Sequence, residues 1–139
     1  ETVPKTGHTQ NGLFFPLPGS ESEPLGSRII EVPEAPELTL TLRAPRSGFV
    51  AYVPVGSIAR GETIVTTGGG KTVQCTLCHG EDLQGVAEVP GIADRPASYI
   101  VRQLYDIQAG TRESAIMAPI VASLDIDDMI AITAYLASK

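Results

Sequence analysis

Cys75-Thr76-Leu77-Cys78-His79 is the stretch of sequence that decides how this chain is interpreted. Two thiols at this spacing can add to the two vinyl groups of haem, while the adjacent imidazole reaches the iron from one face. All three residue types are present in the required order. The motif therefore predicts one covalently attached c-type haem, with Cys75 and Cys78 joined to the porphyrin and His79 as an axial ligand of the iron.

Three other uses of paired cysteines fit the sequence less well. A thioredoxin-like redox pair should begin a helix in a β-α-β pattern, whereas the regular segments after the motif carry helical patterns. A structural zinc site needs four ligands, and outside the motif His8 is the only other His or Cys. A disulfide framework is excluded, because the chain has two cysteines and they lie three positions apart.

The second axial position of the iron separates electron transfer from small-molecule chemistry. Met117 lies in the segment 114–119, which we interpret as a helix-breaking loop between two helices, where a side chain can point at a cofactor. We therefore predict Met117 as the second ligand. Met129 lies on the apolar stripe of the last predicted helix and is expected to fill the core. His8 is the alternative ligand.

The composition limits the classes of partner and compartment. A formal net charge of −6 and a pI near 4.8 argue against a nucleic-acid surface, which needs clustered Lys and Arg. No apolar run approaches the roughly 20 residues that span a bilayer, and the first residues lack the basic and apolar regions of a signal peptide. We expect a soluble, already processed protein. Aromatic residues make up 5% of the chain, which leaves core volume for a prosthetic group.

Proline content divides the chain into an arm, residues 1–55, and a domain, residues 56–139. Eight of the eleven prolines lie in the arm, so long helices are not expected there. Residues 37–43 alternate polar and apolar side chains and residues 48–55 also favour strand, which predicts a short β-hairpin with its reversal at 44–48. We expect the arm to pack on the domain, with a partly disordered linker as the alternative.

The domain carries three helical patterns, which predict an all-α fold of three main helices around one haem. Ser57 is the expected cap of a first helix that stops at Gly68. Residues 96–108 form an amphipathic pattern. Asp125 is the expected cap of a final helix. The buried stripe predicted for that helix consists of Ile126, Met129, Ile130, Ile132 and Leu136.

On these motifs and their order, residues 56–139 resemble the class I cytochromes c of the small bacterial type, which have a loop methionine ligand. The resemblance covers about three-fifths of the chain. It implies that Gly61 and Tyr135 meet where the first and last helices cross. It also implies that the carbonyl of Pro90 holds the imidazole of His79. Tyr99 and Arg112 resemble positions that line the haem or meet its propionates. The N-terminal arm departs from the minimal family pattern.

The resemblance implies an electron carrier and not an enzyme, cycling one haem c between ferrous and ferric iron with His79 and Met117 as axial ligands. Its partners would be redox proteins that present a basic patch to this acidic chain. We expect a monomer in the periplasm, with its signal peptide removed. Two alternatives stay open: a gas or peroxide sensor or enzyme with an open sixth position, and an electron-entry subunit of a larger dehydrogenase or oxidase.

Overall fold

The computed structural model describes residues 1–8, 12–19, 21–44 and 46–139. The chain divides into two compact units, Glu1–Pro54 and Val55–Lys139. Within the described residues, no helix combines the length and the apolar character that crossing a bilayer requires. The predicted packing of residues 1–55 on residues 56–139 stays a prediction.

The described part of the first unit consists of short strands and one short helix. The strands are β1 (Thr2–Pro4), β2 (Thr6–His8), β3 (Phe14–Pro16), β4 (Ser22–Pro24), β5 (Ile30–Pro33) and β6 (Phe49–Tyr52), and the helix is α1 (Pro36–Leu40). They pair antiparallel as β1 with β4, β2 with β3, and β5 with β6. A small apolar cluster joins the β1–β4 pair to the β5–β6 pair and consists of Val3, Leu25, Ile30, Val32 and the partly buried Tyr52.

The hairpin predicted for the arm is wrong in its first strand. Most of the segment 37–43 lies in α1, which begins at Pro36, where the fixed φ of proline suits the first helical position. The second predicted strand, 48–55, contains β6, but β6 pairs with β5 instead. The predicted reversal at 44–48 includes Pro45, which lies outside the described residues.

The second unit contains the three main helices that the sequence predicts. In chain order its elements are α2 (Ser57–Thr67), a single 3-10 turn (Gly68–Gly70), α3 (Thr76–His79), β7 (Gly85–Val86), β8 (Val89–Pro90), α4 (Ala97–Ala109), α5 (Met117–Val121) and α6 (Ile126–Leu136). Strands β7 and β8 form a tight antiparallel hairpin. The stop of α2 at Gly68 is confirmed. The cap at Ser57 is wrong, because Gly56 in the left-handed conformation occupies that position.

The prediction of an all-α chain is wrong. The described residues contain eight short strands in four two-stranded sheets, six of those strands in the first unit. The physical reason is the proline content of the arm, which removes backbone donors and prevents long helices, so that short extended segments pair with each other. The helical prediction holds for the main elements of the second unit alone.

Helices α2 and α6 cross at Gly61, as the resemblance implies. A Cβ atom on Gly61 would lie 1.9 Å from the carbonyl oxygen of Ala131 and 2.9 Å from Cβ of Tyr135, so only glycine permits this approach. Four members of the stripe predicted for α6 are buried: Met129, Ile130, Ile132 and Leu136. The fifth, Ile126, is 52% exposed, so its predicted place in the core is wrong.

The start of α6 is held by a capping box and an ion cluster. The predicted cap is confirmed: Oδ1 of Asp125 accepts a hydrogen bond from the backbone N–H of Asp128 at 2.8 Å, and Oδ2 of Asp128 accepts one from the N–H of Asp125 at 3.2 Å. The side chain of Asp128 is 1% exposed and also accepts from Nη2 of Arg60 at 2.5 Å and Nζ of Lys71 at 2.6 Å. Lys71 reaches Asp125 as well, at 2.9 Å.

These contacts keep both carboxyls ionised. The hydrogen bond from Lys71 lowers the pKa of Asp125 to about 2. Burial acts to raise the pKa of Asp128, but hydrogen bonds from Lys71 and Arg60 outweigh it and leave that pKa below its usual range. The cluster therefore joins α2, the segment before the Cys-x-x-Cys-His motif, and α6 through charges that persist at neutral pH.

Candidate haem site

A cavity of about 1000 Å³ lies within the second unit. Its lining includes all four residues that the sequence singles out: Cys75, Cys78, His79 and Met117. Close-packed protein interiors contain few voids larger than a water molecule, and this volume is at the upper end of the range for small-molecule and cofactor sites. The cavity is thus large enough to accept a macrocycle between the predicted ligands.

The orientation of His79 is fixed by the hairpin β7–β8. The imidazole is 8% exposed, and its Nδ1 lies 2.7 Å from the carbonyl oxygen of Pro90. Because a carbonyl oxygen can only accept, Nδ1 carries a proton in this contact, and Nε2 is the nitrogen that could bind a metal. The role that the resemblance implies for Pro90 is confirmed at the level of the hydrogen bond.

Gly91 allows the hairpin to come close enough for this contact. A Cβ atom on Gly91 would lie 2.5 Å from the carbonyl oxygen of Gln84. The backbone N–H groups of Ile92 and Ala93 both donate to the carbonyl of Leu83, at 2.8 and 3.1 Å. These backbone contacts fix the segment that carries Pro90.

The two cysteines lie on one short helical turn. The N–H of Cys75 donates to the carbonyl of Val65 at 2.8 Å, which ties the motif to α2, and the N–H of His79 donates to the carbonyl of Cys75 at 3.0 Å. Burial raises the pKa of the Cys75 thiol to about 11, so this sulfur is neutral at physiological pH. An uncharged thioether would suit the same surroundings, because a buried charge without a partner is costly. Cys78 is exposed.

Met117 lines the cavity, but it does not lie in a loop. It is the first residue of α5, and Pro119 lies in the first turn of that helix. Proline is tolerated there because the first N–H groups of a helix have no intrahelical partner. The loop prediction is therefore wrong, and the exposure of Met117 to the cavity comes from its place at the helix start. The prediction that Met129 fills the core is confirmed, since that residue is 1% exposed.

Other residues that the sequence singled out fall into two places. Tyr99 and Arg112 both line the cavity, and Arg112 donates a hydrogen bond to the side chain of Gln103. His8 lies on β2 in the first unit and is exposed. Among the described residues, no three His, Cys, Asp or Glu side chains are grouped as metal ligands.

The sequence does not predict two residues that form hydrogen bonds near the cavity, Thr72 and Gln108. The hydroxyl of Thr72 donates to the carbonyl of Ile120 at 2.5 Å. The side-chain amide of Gln108 donates to the carbonyl of Val121, the last residue of α5, and to that of Leu124. Side-chain bonds to distant backbone carbonyls depend on tertiary structure and leave no spacing pattern. The sequence therefore held no signal that could have identified them.

Comparison with known proteins gives relatives over about half to three-fifths of the chain. No family model matches the chain. The thiosulfate dehydrogenase electron acceptor of Stutzerimonas stutzeri (strain A1501) is 39% identical over 82 residues, which cover 56% of this chain and 38% of that protein. Cytochrome c-554(548) of Halomonas halodenitrificans is 31% identical over 88 residues, which cover 60% of this chain and 98% of the relative. The chain belongs to the class I c-type cytochromes.

A solved structure supports the same assignment for this cytochrome. The cytochrome c4 of Acidithiobacillus ferrooxidans aligns with a TM-score of 0.58 and 30% identity, over 60% of this chain and 50% of that one. The chain spans 38% of the length of the Stutzerimonas protein and half of this cytochrome c4. Membership of the c-type cytochromes implies haem c with its iron. The cavity volume, the two thiols and the free Nε2 of His79 fit that group.

Proposed function

We propose that this cytochrome carries single electrons through one covalent haem, held by Cys75 and Cys78, with His79 and Met117 as the axial ligands. The observation that carries the proposal is that all four side chains line the same cavity. Bound haem supplies a one-electron ferrous–ferric couple. The two cysteines and one Cys-x-x-Cys-His motif of these 139 residues provide for one such group.

The protein contributes ligand chemistry and exclusion of water. The Pro90 carbonyl holds the Nδ1 proton of His79 and so increases the basicity of Nε2. Met117 offers a soft, uncharged thioether, which favours ferrous iron and raises the potential relative to a second histidine. Apolar side chains from α4 and α6, including Ile100, Leu104 and Ile132, form part of the wall and keep water away.

We propose redox proteins of the periplasm as donor and acceptor. Covalent haem attachment by thiols belongs to that compartment in the family that the chain resembles. The net charge of −6 favours a partner with a basic docking patch and raises the rate of encounter at low ionic strength. The Stutzerimonas relative is named as the electron acceptor of a thiosulfate dehydrogenase. We therefore propose a dehydrogenase as the class of electron donor.

Optical spectra of the oxidised and reduced holoprotein test the ligand assignment. We expect a pyridine adduct with the c-type signature and a weak far-red band from methionine bound to ferric iron. Met117→Ala should abolish that band, whereas Met129→Leu should keep it, because Met129 fills the core. If ferrous wild-type protein bound carbon monoxide rapidly and Met117→Ala left the spectrum unchanged, the sensor or enzyme alternative would replace the carrier.

A further inference from the structure

Helix α5 carries Met117 but cannot hold its own position. It has five residues, Met117–Val121, whereas isolated helices in water need about 12 to 15 residues to be even marginally stable. The carbonyls at the end of a helix have no intrahelical partner, so neighbouring groups must satisfy them. The N–H of Met117 donates to the hydroxyl of Ser114 at 3.3 Å, and the N–H of Leu124 donates to the carbonyl of Val121 at 3.1 Å. The side-chain contacts at the far end of α5 are the remaining support for the place of Met117 in the cavity.

Gln108 holds that end from α4. Its Nε2 donates to the carbonyl oxygens of Val121 and Leu124, both at 2.7 Å. Because both partners are carbonyl oxygens, only the amide nitrogen can serve, and its two hydrogens are both used. Gln108 itself lies at the protein surface, outside the lining of the cavity. It therefore acts on the backbone after Met117 and not on the bound group.

Two further hydrogen bonds connect residues 71–72 with residues 120–123. The Thr72 hydroxyl donates to the carbonyl of Ile120 at 2.5 Å, and the Ser123 hydroxyl donates to the carbonyl of Lys71 at 2.6 Å. Residues 71–72 lead directly into the Cys-x-x-Cys-His motif. The stretch that precedes His79 is thus hydrogen-bonded to the stretch that follows Met117. These bonds connect the two sides of the cavity without involving the iron.

We propose that Gln108 and Thr72 are positioning residues for Met117, which fix α5 so that the thioether stays at the iron. The inference rests on the proposed function, in which Met117 is an axial ligand. We call the hydrogen bonds from Gln108 and Thr72 to residues 120–124 the clamp. Loss of either part of the clamp should leave the haem attached and His79 in place, since His79 is held separately by Pro90. It should make displacement of Met117 easier.

Competition with imidazole for the ferric iron measures this displacement in the holoprotein. In Gln108→Leu and in Thr72→Val, we expect imidazole to bind about tenfold more tightly than in the wild type, a change of about 1.4 kcal/mol. The far-red band should weaken in both variants. Gln108→Lys, which again offers donors to the two carbonyls, should restore imidazole affinity toward the wild-type value.

Two controls separate positioning from general destabilisation. Ala109→Leu places the same leucine one residue further along the exposed surface of the helix, and no side-chain hydrogen bond is lost. Ile64→Val loosens the core at α2, at a residue outside the lining of the cavity. Both should retain the wild-type imidazole affinity.

The outcomes distinguish the inference from the proposed function. If the far-red band depends on Met117 but Gln108→Leu and Thr72→Val bind imidazole as Ala109→Leu does, the clamp is overturned and the ligand assignment stands. If Ile64→Val tightens imidazole binding as much as Gln108→Leu, general stability explains the effect and the clamp is also overturned. If Met117→Ala keeps the band, both the ligand assignment and the clamp are overturned.

Discussion

At Gly61 the absence of a side chain determines how closely two helices approach. A Cβ atom added to Gly61 would lie 1.9 Å from the backbone oxygen of Ala131 in α6. That oxygen cannot move aside as the end of a flexible side chain could. The crossing brings α2 against Ile132 and Tyr135, which belong to the main core of the second unit. Much of that core therefore depends on this one contact.

Gly61→Ala should destabilise the protein by about 3 kcal/mol, the upper end of the usual cost of overpacking, because backbone must shift to admit the methyl group. Urea unfolding followed by circular dichroism measures the change. Ala59→Leu, on the exposed side of the same helix, should change the free energy of unfolding little. Equal stability of Gly61→Ala and wild type would mean that the helices do not cross here.

Gly91→Ala should raise the reduction potential. An added methyl group would displace the backbone next to Pro90 and weaken the hydrogen bond that Nδ1 of His79 donates to the Pro90 carbonyl. The imidazole then becomes less basic and stabilises ferric iron less. Potentiometric titration measures this effect, with Val86→Ala in the same hairpin as the control. A potential that did not move would argue against a role for the hairpin in tuning the iron.

Several residue contacts could be predicted and others could not. The meeting of Gly61 with Tyr135 and the bond from His79 to Pro90 follow from the motif order that the chain shares with the class I cytochromes c. Gly91 could not be predicted, because its need for a missing side chain arises only when β7 and β8 fold together. Gln108 is of the same kind, since its two acceptors are the carbonyls of Val121 at the end of α5 and of Leu124 in the turn that follows.

Among the elements, α1 shows why an alternating sequence pattern can predict a strand where a helix forms. Leu38, Leu40 and Leu42 share one face in a strand, which predicted a half-buried strand. All three are exposed in the structure, so burial did not select the alternation. Pro36 at the helix start and Glu37 in the first turn favour a helix instead, and α1 forms.

Agreement between the sequence pattern and burial explains why the main helices could be predicted. The pattern in 96–108 reflects burial, since Ile100 and Ile107 are buried in α4. The capping residue Asp125 was predictable because its acceptor and the acidic first turn are local features. Helix α5 was missed because Pro119 was interpreted as a helix breaker, although the first turn accepts proline.

The start of α6 should make stability depend on acid pH. The pKa of Asp125 is about 2 in the folded protein, against about 3.9 for an unperturbed aspartate. A carboxyl with a lower pKa in the folded state adds stability that is complete above its unfolded pKa and is lost as the pH falls to its folded pKa. The free energy of unfolding should therefore fall between about pH 4 and pH 2.

Urea midpoints measured from pH 7 down to pH 2 check this prediction. Asp125→Asn should have a smaller fall than the wild type, and Asp128, whose pKa is also lowered, should contribute to the fall that remains. Asp127→Asn, in the same helical turn, serves as the matched control. A profile for Asp125→Asn that matched the wild type would contradict the contribution of the Lys71 contact.

For the whole molecule, the two units each have an apolar cluster of their own. All residues that line the cavity belong to Val55–Lys139. A fragment of residues 55–139 should therefore fold, attach haem and have the optical spectrum of the full chain. Expression with haem-attachment machinery, followed by absorption spectra and thermal melts, tests this expectation.

The same fragment tests our proposal that the arm packs on the haem domain. If the arm covers part of the domain, the melting temperature of residues 55–139 should lie below that of the full chain, and the rate of reaction with a redox partner should differ. The same melting temperature and the same partner kinetics would remove the packing proposal. A fragment that failed to fold would contradict the independence of the second unit.

Because α2 packs against α6, the last helix of the haem domain, the fold of that domain is completed only after α6 has been made. Gly61 and Tyr135 are far apart in sequence, and helix α6 supplies Ile132 and Leu136 to the cavity wall. Synthesis runs from the N-terminus, so α2 and both cysteines emerge before their partner helix exists. Since the cavity wall is incomplete without α6, we expect the thiols to stay accessible to an attachment enzyme until α6 packs.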